Sequence, residues 1–292
     1  MYNPTEILIE SFIEELRKGY RKTYGRRDGD YEDLISWAGS TALEIIASSD
    51  AVYHDVEHTI LVTLVGQEIL RGKHIRDGGV SPKDWVHFII SLVCHDIGYV
   101  KGICSQDDEV AMRFATGDGE TFVTLPPGAS DAALTRYHVD RGKLFVTERF
   151  SRTQLIDPEV VKANIELTRF PVPDGEDPSS TTTYPGLVRA SDLIGQMSDP
   201  RYLKKIVALF YEFEEIGFNK IVGFQDPGDL KAYYPSFYWN KVYPYIKDAT
   251  RYLARTQQGL QFLANLHSNV FLVEHGNFPL PRAITAQGTV SP

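Results

Sequence analysis

Apolar residues in this chain recur at intervals of three and four almost from one end to the other, and that period restricts its fold more than any other feature. Leu8, Ile9, Phe12, Ile13 and Leu16 share one face of a first helix, and Leu34, Ile35, Ala38, Ala42, Ile45 and Ile46 share one face of a second. The spacing predicts a third helix from about Tyr53 to Arg71, closed by Gly72 as a C-cap. A fourth opens at Ser81-Pro82, an N-cap followed by proline at the first helical position, and continues through Phe88, Ile89, Leu92 and Val93. Asp157-Pro158 and Asp199-Pro200 repeat that opening signature, and another helix is expected from about Ser130 to Phe150. From Pro235 to His275 the pattern is that of one or two long helices rich in Tyr and Phe. Alternation is confined to Glu120–Leu125, too brief to count as a strand. The expected fold is all-α.

Three segments lack the period and read as loops: Tyr99–Gln106, Thr116–Ala129 and the Pro-, Ser- and Thr-rich Pro171–Pro185. The chemically distinctive residues lie on both sides of the last, so it is expected to be a loop inside one domain covering 1–275 rather than a linker. The tail, 276–292, has no periodicity and is expected to fray.

Length and charge narrow the function. A chain of 292 residues can bury a substantial core, and 42% hydrophobic with 24% charged residues is ordinary for a globular protein. A net charge of −9 with no basic block argues against a protein whose main work is gripping nucleic acid. An acidic protein still accommodates a phosphorylated substrate where a bound cation supplies positive charge. The two cysteines, Cys94 and Cys104, make neither a disulfide framework nor a zinc motif. No signal peptide and no stretch of transmembrane length is legible, so a cytoplasmic protein that works without a membrane is expected.

Several residues stand out chemically. His95-Asp96 ends an apolar helix beside Ile97-Gly98, where both side chains can reach one cation and the carboxylate can bridge to a second. A helix-end histidine near a favourable dipole is the plainer reading of the dipeptide alone. Upstream, His54 and His58 stand four apart in Tyr53-His54-Asp55-Val56-Glu57-His58-Thr59, which on a helix puts them on one face. Asp192 interrupts the apolar run Leu187–Leu193, and a buried carboxylate must be paired or coordinate a metal; Arg189 is the alternative partner.

Taken in order, a His, a His-Asp pair on the next helix and a lone Asp on a much later one resemble the H…HD…D signature of the HD superfamily of metal-dependent phosphohydrolases, across roughly 51–200. The segment Tyr-His-x-x-x-His-Thr further resembles the first motif of the cyclic nucleotide phosphodiesterases, an all-helical branch of that superfamily. The resemblance implies an HD-type helical bundle with added C-terminal helices over 200–275. It implies His58, His95, Asp96 and Asp192 as ligands of a divalent metal (Mn, Fe, Zn, Ni or Mg), with one or two ions per chain. Water activated by the cation would attack phosphorus, and His54 would protonate the departing oxygen. The expected substrate is a small phosphate ester, a nucleotide and in particular a phosphodiester.

The sequence also departs from those enzymes. Asp55 stands where their motif has asparagine, and Tyr99 where they carry another histidine. Their purine-clamping glutamine has no clear counterpart, although Gln258 and Gln261 lie in a late helix. His138 fits either a ligand for a second metal or a structural histidine. Arg169 and Lys101 are candidate phosphate contacts, or surface charges. Asp107-Asp108-Glu109 reads as a solvated helix start. The aromatic group Phe237, Tyr238, Trp239, Tyr243 and Tyr245 reads as core first and as a base-stacking wall second. Two other functions stay open: a nucleotide phosphomonoesterase, and a regulatory module that binds metal and nucleotide without turnover.

Overall fold

The computed structural model describes residues 2–25, 29–170 and 181–276. It is all-α. The helices run in order α1 (Pro4–Tyr24), α2 (Gly29–Ile46), α3 (Val56–Asp77) and α4 (Pro82–Cys94). A small hairpin of β1 (Arg113–Ala115) and β2 (Phe122–Thr124) follows, and then α5 (His138–Phe150), α6 (Pro158–Glu166), α7 (Tyr184–Ser198) and α8 (Tyr202–Glu215). The chain continues with α9 (Phe218–Val222), α10 (Pro227–Phe237), α11 (Tyr243–Leu253) and α12 (Gln257–His275). Most buried apolar residues from Ile9 to Val273 form one main core, and Phe114, Leu125 and Leu134 form a small second cluster. No helix among the described residues is long and apolar enough to cross a membrane.

Caps act where the sequence marks them. Ser81 and Asp84 close a capping box on α4, and the Asp157 side chain accepts from the Glu159 N–H at the head of α6. Other boundaries differ from expectation. The third helix starts at Val56 rather than Tyr53, because Asp55 caps it by accepting the His58 N–H at 2.9 Å. It also runs past Gly72 to Asp77 and is closed by Gly78 at φ 70°. Gly72 instead lets α11 approach, since a Cβ there would lie 2.0 Å from the Tyr252 carbonyl oxygen. Asp199 ends α7 instead of opening α8; its carboxylate accepts from the Arg201 N–H at 2.7 Å.

Ser130–Phe150 divides into a 3-10 stretch over Asp131–Tyr137 and α5 proper. Phe122–Thr124 is a strand after all, paired antiparallel with Arg113–Ala115, a partner too short to show alternation. The long C-terminal helices are broken into α10, a π-helical stretch over Tyr238–Val242, α11 and α12. Pro244 explains the first break: it has no N–H to donate and its ring crowds the preceding turn, so the ladder cannot run on unchanged. Of the loop expected at 171–185, residues 171–180 lie outside the described ones, and Thr183 already caps α7. The tail 277–292 also lies outside them.

One crossing positions the site. Gly195 of α7 meets α3 so closely that a Cβ would stand 2.7 Å from the Val62 Cα. One turn back along each helix are Asp192 and His58.

Candidate metal centre

Each polar side chain of the centre is delivered by the end or the buried face of an element. His58 projects from the first turn of α3, and Asp192 from the middle of α7. His95 is the C-cap of α4, and Asp96 opens the 3-10 turn Ile97–Tyr99. That turn packs against the head of α5, where a Cβ on Gly98 would meet the His138 carbonyl oxygen at 1.8 Å. Only glycine permits so close an approach.

The structure brings all four expected ligands together. His58 Nε2 lies 3.2 Å from Asp96 Oδ2 and 3.6 Å from Asp192 Oδ1, and His95 Nε2 lies 3.0 and 3.7 Å from the same two atoms. His95 directs Nδ1 to the Leu92 carbonyl at 2.7 Å, which leaves Nε2 facing the carboxylates. His58 Nε2, His95 Nε2 and Asp96 Oδ2 are buried without a hydrogen-bond partner. Buried polar atoms are rarely left so, and a cation among them would satisfy all three. Ligand atoms of His58, His95 and Asp192, and separately of His54, His58 and Asp96, lie within 4.8 Å of one another. These buried histidine–aspartate clusters could hold a metal ion.

The electrostatics agree. Burial disfavours charge on His95, but Asp96 and Asp192 more than offset it and raise its pKa well above the ordinary value. Burial likewise opposes ionisation of Asp96, yet His95 and His58 hold it well below the usual carboxylate range. A cation would replace the proton on His95, since it needs the same Nε2 lone pair and is drawn by the same carboxylates.

His54 is placed otherwise than the sequence suggests. It precedes the cap of α3, so helical spacing does not align it with His58, although the two rings are 5.4 Å apart. Its holder is Glu212 of α8, whose Oε2 lies 2.5 Å from Nδ1. Burial lowers the His54 pKa, but Glu212 prevails and raises it to about 9. Glu212 escapes a reading by periodicity because it falls beside Leu209 and Phe213 on the apolar face of α8. A carboxylate at such a position is itself the signal that could have found it.

Tyr99 fills the gap between His54 and His138, stacked on the first at 4.4 Å and on the second at 4.6 Å. His138 gives Nδ1 to the Thr135 carbonyl at 2.6 Å, while its Nε2 stands 3.9 Å from Asp96 Oδ1, at the margin of the cluster.

The centre forms the floor of a cavity of about 530 Å³. Arg169 reaches its lining while paired with Asp140 and Glu166, and Arg189 lies over the Tyr245 ring at 4.3 Å. Lys101 does not line it; its ammonium serves Asp131 at 3.3 Å and the Ala129 carbonyl at 2.7 Å. Gln258 and Gln261 are exposed on α12, and Gln196, one turn after Asp192, is the glutamine in the lining. Phe237 and Tyr245 belong to the lining, Tyr238 is buried, and Trp239 and Tyr243 are largely exposed. Asp107 is no solvated helix start. Its carboxylate is buried against Arg141, which also donates to the carbonyls of Gly98, Val100 and Ala115 at 2.8, 2.9 and 2.6 Å.

Fold and site together define an all-α protein with buried histidine–aspartate clusters suited to a metal ion. The chain belongs to the Npun_R2479-like family, whose model matches residues 2–276. No curated protein and no solved structure matches it.

Proposed function

We propose that this protein is a metal-dependent phosphohydrolase of the HD type, acting on a phosphate ester. The observation that carries the reading is the convergence of His58, His95, Asp96 and Asp192 around buried, unpartnered ligand atoms at the floor of a cavity. A divalent cation there would polarise the phosphate and make a water molecule acidic enough to act as nucleophile near neutral pH; the mixed shell suits Mn, Fe, Zn, Ni or Mg.

The remaining chemistry falls to side chains. His54 receives Glu212 on Nδ1, so Nε2 is the nitrogen left to protonate a departing oxygen. Glu212 fixes the ring and favours its protonated form. Lys241 and Arg189, together with Arg169, give the lining positive charge for a phosphate in an otherwise acidic protein. A second cation beside Asp96 is the finer alternative, because His54 also lies within ligand distance of His58 and Asp96.

The test is hydrolysis of bis(4-nitrophenyl) phosphate and 4-nitrophenyl phosphate with Mn supplied, and Asp96→Ala as blank. Diester activity that vanishes in the variant supports a phosphodiesterase, and monoester activity alone supports a phosphatase. No turnover of either by metal-loaded protein would favour a binding module and count against the proposal.

A further inference from the structure

Beyond the metal centre the cavity is walled by aromatic rings. Phe170 and Phe213 lie parallel with centroids 5.9 Å apart, and Phe218 packs on both, at 5.9 and 4.8 Å. Phe237 meets Phe170 at 6.1 Å, and Tyr233 carries the wall from Phe237 to Phe224, at 6.3 and 5.5 Å. All six rings line the same cavity. They come from the chain after α6, from α8, α9 and α10, and from the turn between the last two, so no single helix's apolar stripe produces them.

Two of the polar groups beside the rings are committed elsewhere. Arg169 is engaged by Asp140 and Glu166, and the Asn240 amide donates to Ser236 Oγ at 3.2 Å. A nucleobase can stack its face on phenyl rings, but its edge donors and acceptors and the sugar hydroxyls then need polar partners, and burying them beside rings without such partners is unfavourable. An apolar group gains from the same surface, because it releases water from both sides of the contact.

The wall also begins where the proton donor is held. Glu212, which grips His54, and Phe213, the centre of the ring cluster, are consecutive residues of α8. An ester oxygen within reach of His54 would therefore have its organic substituent beside the rings.

We infer, resting on the phosphohydrolase reading above, that the substrate is a phosphate ester of a bulky apolar alcohol or phenol whose hydrocarbon portion seats on this wall, in place of a nucleotide. The reaction needs only water. A bond forms between the water oxygen and phosphorus, and the bond from phosphorus to the ester oxygen breaks, leaving its electron pair on that oxygen. His54 supplies the proton that completes the alcohol, and the proton lost by the attacking water passes to solvent and so back to His54.

The experiment is calorimetric titration of the full chain loaded with Mn, using 1-naphthyl phosphate, adenosine monophosphate, 1-naphthol and inorganic phosphate as probes. The naphthyl ester should bind at least about tenfold tighter than the nucleotide, and naphthol should bind without its phosphate. Phe213→Asn should weaken the naphthyl ester by about tenfold or more while leaving metal content and phosphate affinity unchanged. Phe170→Asn, at a more exposed ring, guards against a folding defect and should act in the same direction. Equal or tighter binding of the nucleotide, or naphthyl binding that ignores both substitutions, overturns the inference. Naphthyl ester bound on the wall but never hydrolysed overturns the phosphohydrolase reading while the apolar pocket stands. Turnover of the nucleotide without any naphthyl binding does the reverse.

Discussion

Glu212 reaches across from α8 to hold His54 twice: Oε2 stands 2.5 Å from the ring Nδ1, and Oε1 accepts the backbone N–H groups of Tyr53 and His54 at 2.6 and 3.3 Å. One carboxylate thereby fixes both the ring and the peptide that carries it. Glu212→Gln keeps the shape and removes the charge. It should lower kcat by about 10²–10⁴-fold with little change in KM, because the ring loses the partner that favours its protonated form. Unchanged kcat would show that Glu212 is structural only.

His54→Ala separates a proton donor from a ligand. As donor, it should match the kcat loss of the Glu212 variant while bound metal per chain, read by elemental analysis, stays constant. A fall from two ions to one would assign His54 to a second cation with His58 and Asp96.

Metal removal should also register without activity. The facing atoms of His58, His95 and Asp96 are buried against one another, and a cation would satisfy all three. Chelation should lower Tm, with Mn at a hundred times its Kd restoring about 2.7 kcal/mol. In Asp96→Ala the same addition should leave Tm unmoved. A Tm indifferent to chelator in metal-loaded wild-type protein would argue against the centre.

His87 predicts an acid sensitivity outside the centre. Burial, aided by Lys83, holds its pKa below the ordinary value, and Nε2 accepts the Asp157 N–H at 2.8 Å, which only the neutral ring can do. The unfolded chain therefore takes up the proton at higher pH than the fold does. The stability owed to this contact is complete above the unfolded value of 6.5 and is lost as pH falls through it towards the folded value. Urea midpoints at about pH 8 and about pH 5.5 should diverge more in wild type than in His87→Gln. Equal declines would remove His87 as the titrating group.

Arg141 should be among the costliest single side chains to lose. Arg141→Met leaves Asp107 buried without its countercharge and three carbonyls without a donor, a destabilisation of about 3–5 kcal/mol. Asp107→Asn in the same chain should recover part of it. A loss under about 1 kcal/mol would mean that water replaces the guanidinium freely.

How much of this could be read beforehand depends on the kind of residue. The clustering of His58, His95, Asp96 and Asp192 was legible because their order along the chain is a sequence property; three of them stand at helix ends, and Asp192 interrupts the apolar run of α7. The all-α fold followed from an apolar period that runs through α1, α2 and α4. The four-residue spacing of His54 and His58 misplaces His54 on the face of α3, because Asp55 caps that helix; what sets the ring beside the cluster is Glu212. Glu212 and Arg141 were not singled out, because partners distant in sequence define both: His54 lies 158 residues from the first, and Asp107 lies 34 from the second. Asp107 looked solvated among its acidic neighbours for the same reason.

The crossing of α3 and α7 has a kinetic consequence. His58 and Asp192 are separated by 134 positions (192 − 58), so the cation site is completed by a contact that is among the slower ones to close. A chain that has formed only its local helices offers no complete set of ligands. If closure of the two helices follows the folding barrier, bound metal slows escape from the native state and leaves the folding rate nearly untouched. Loading the ion would then register first as a slower rate of unfolding, because α7 is held against α3 for longer in the metal-bound protein.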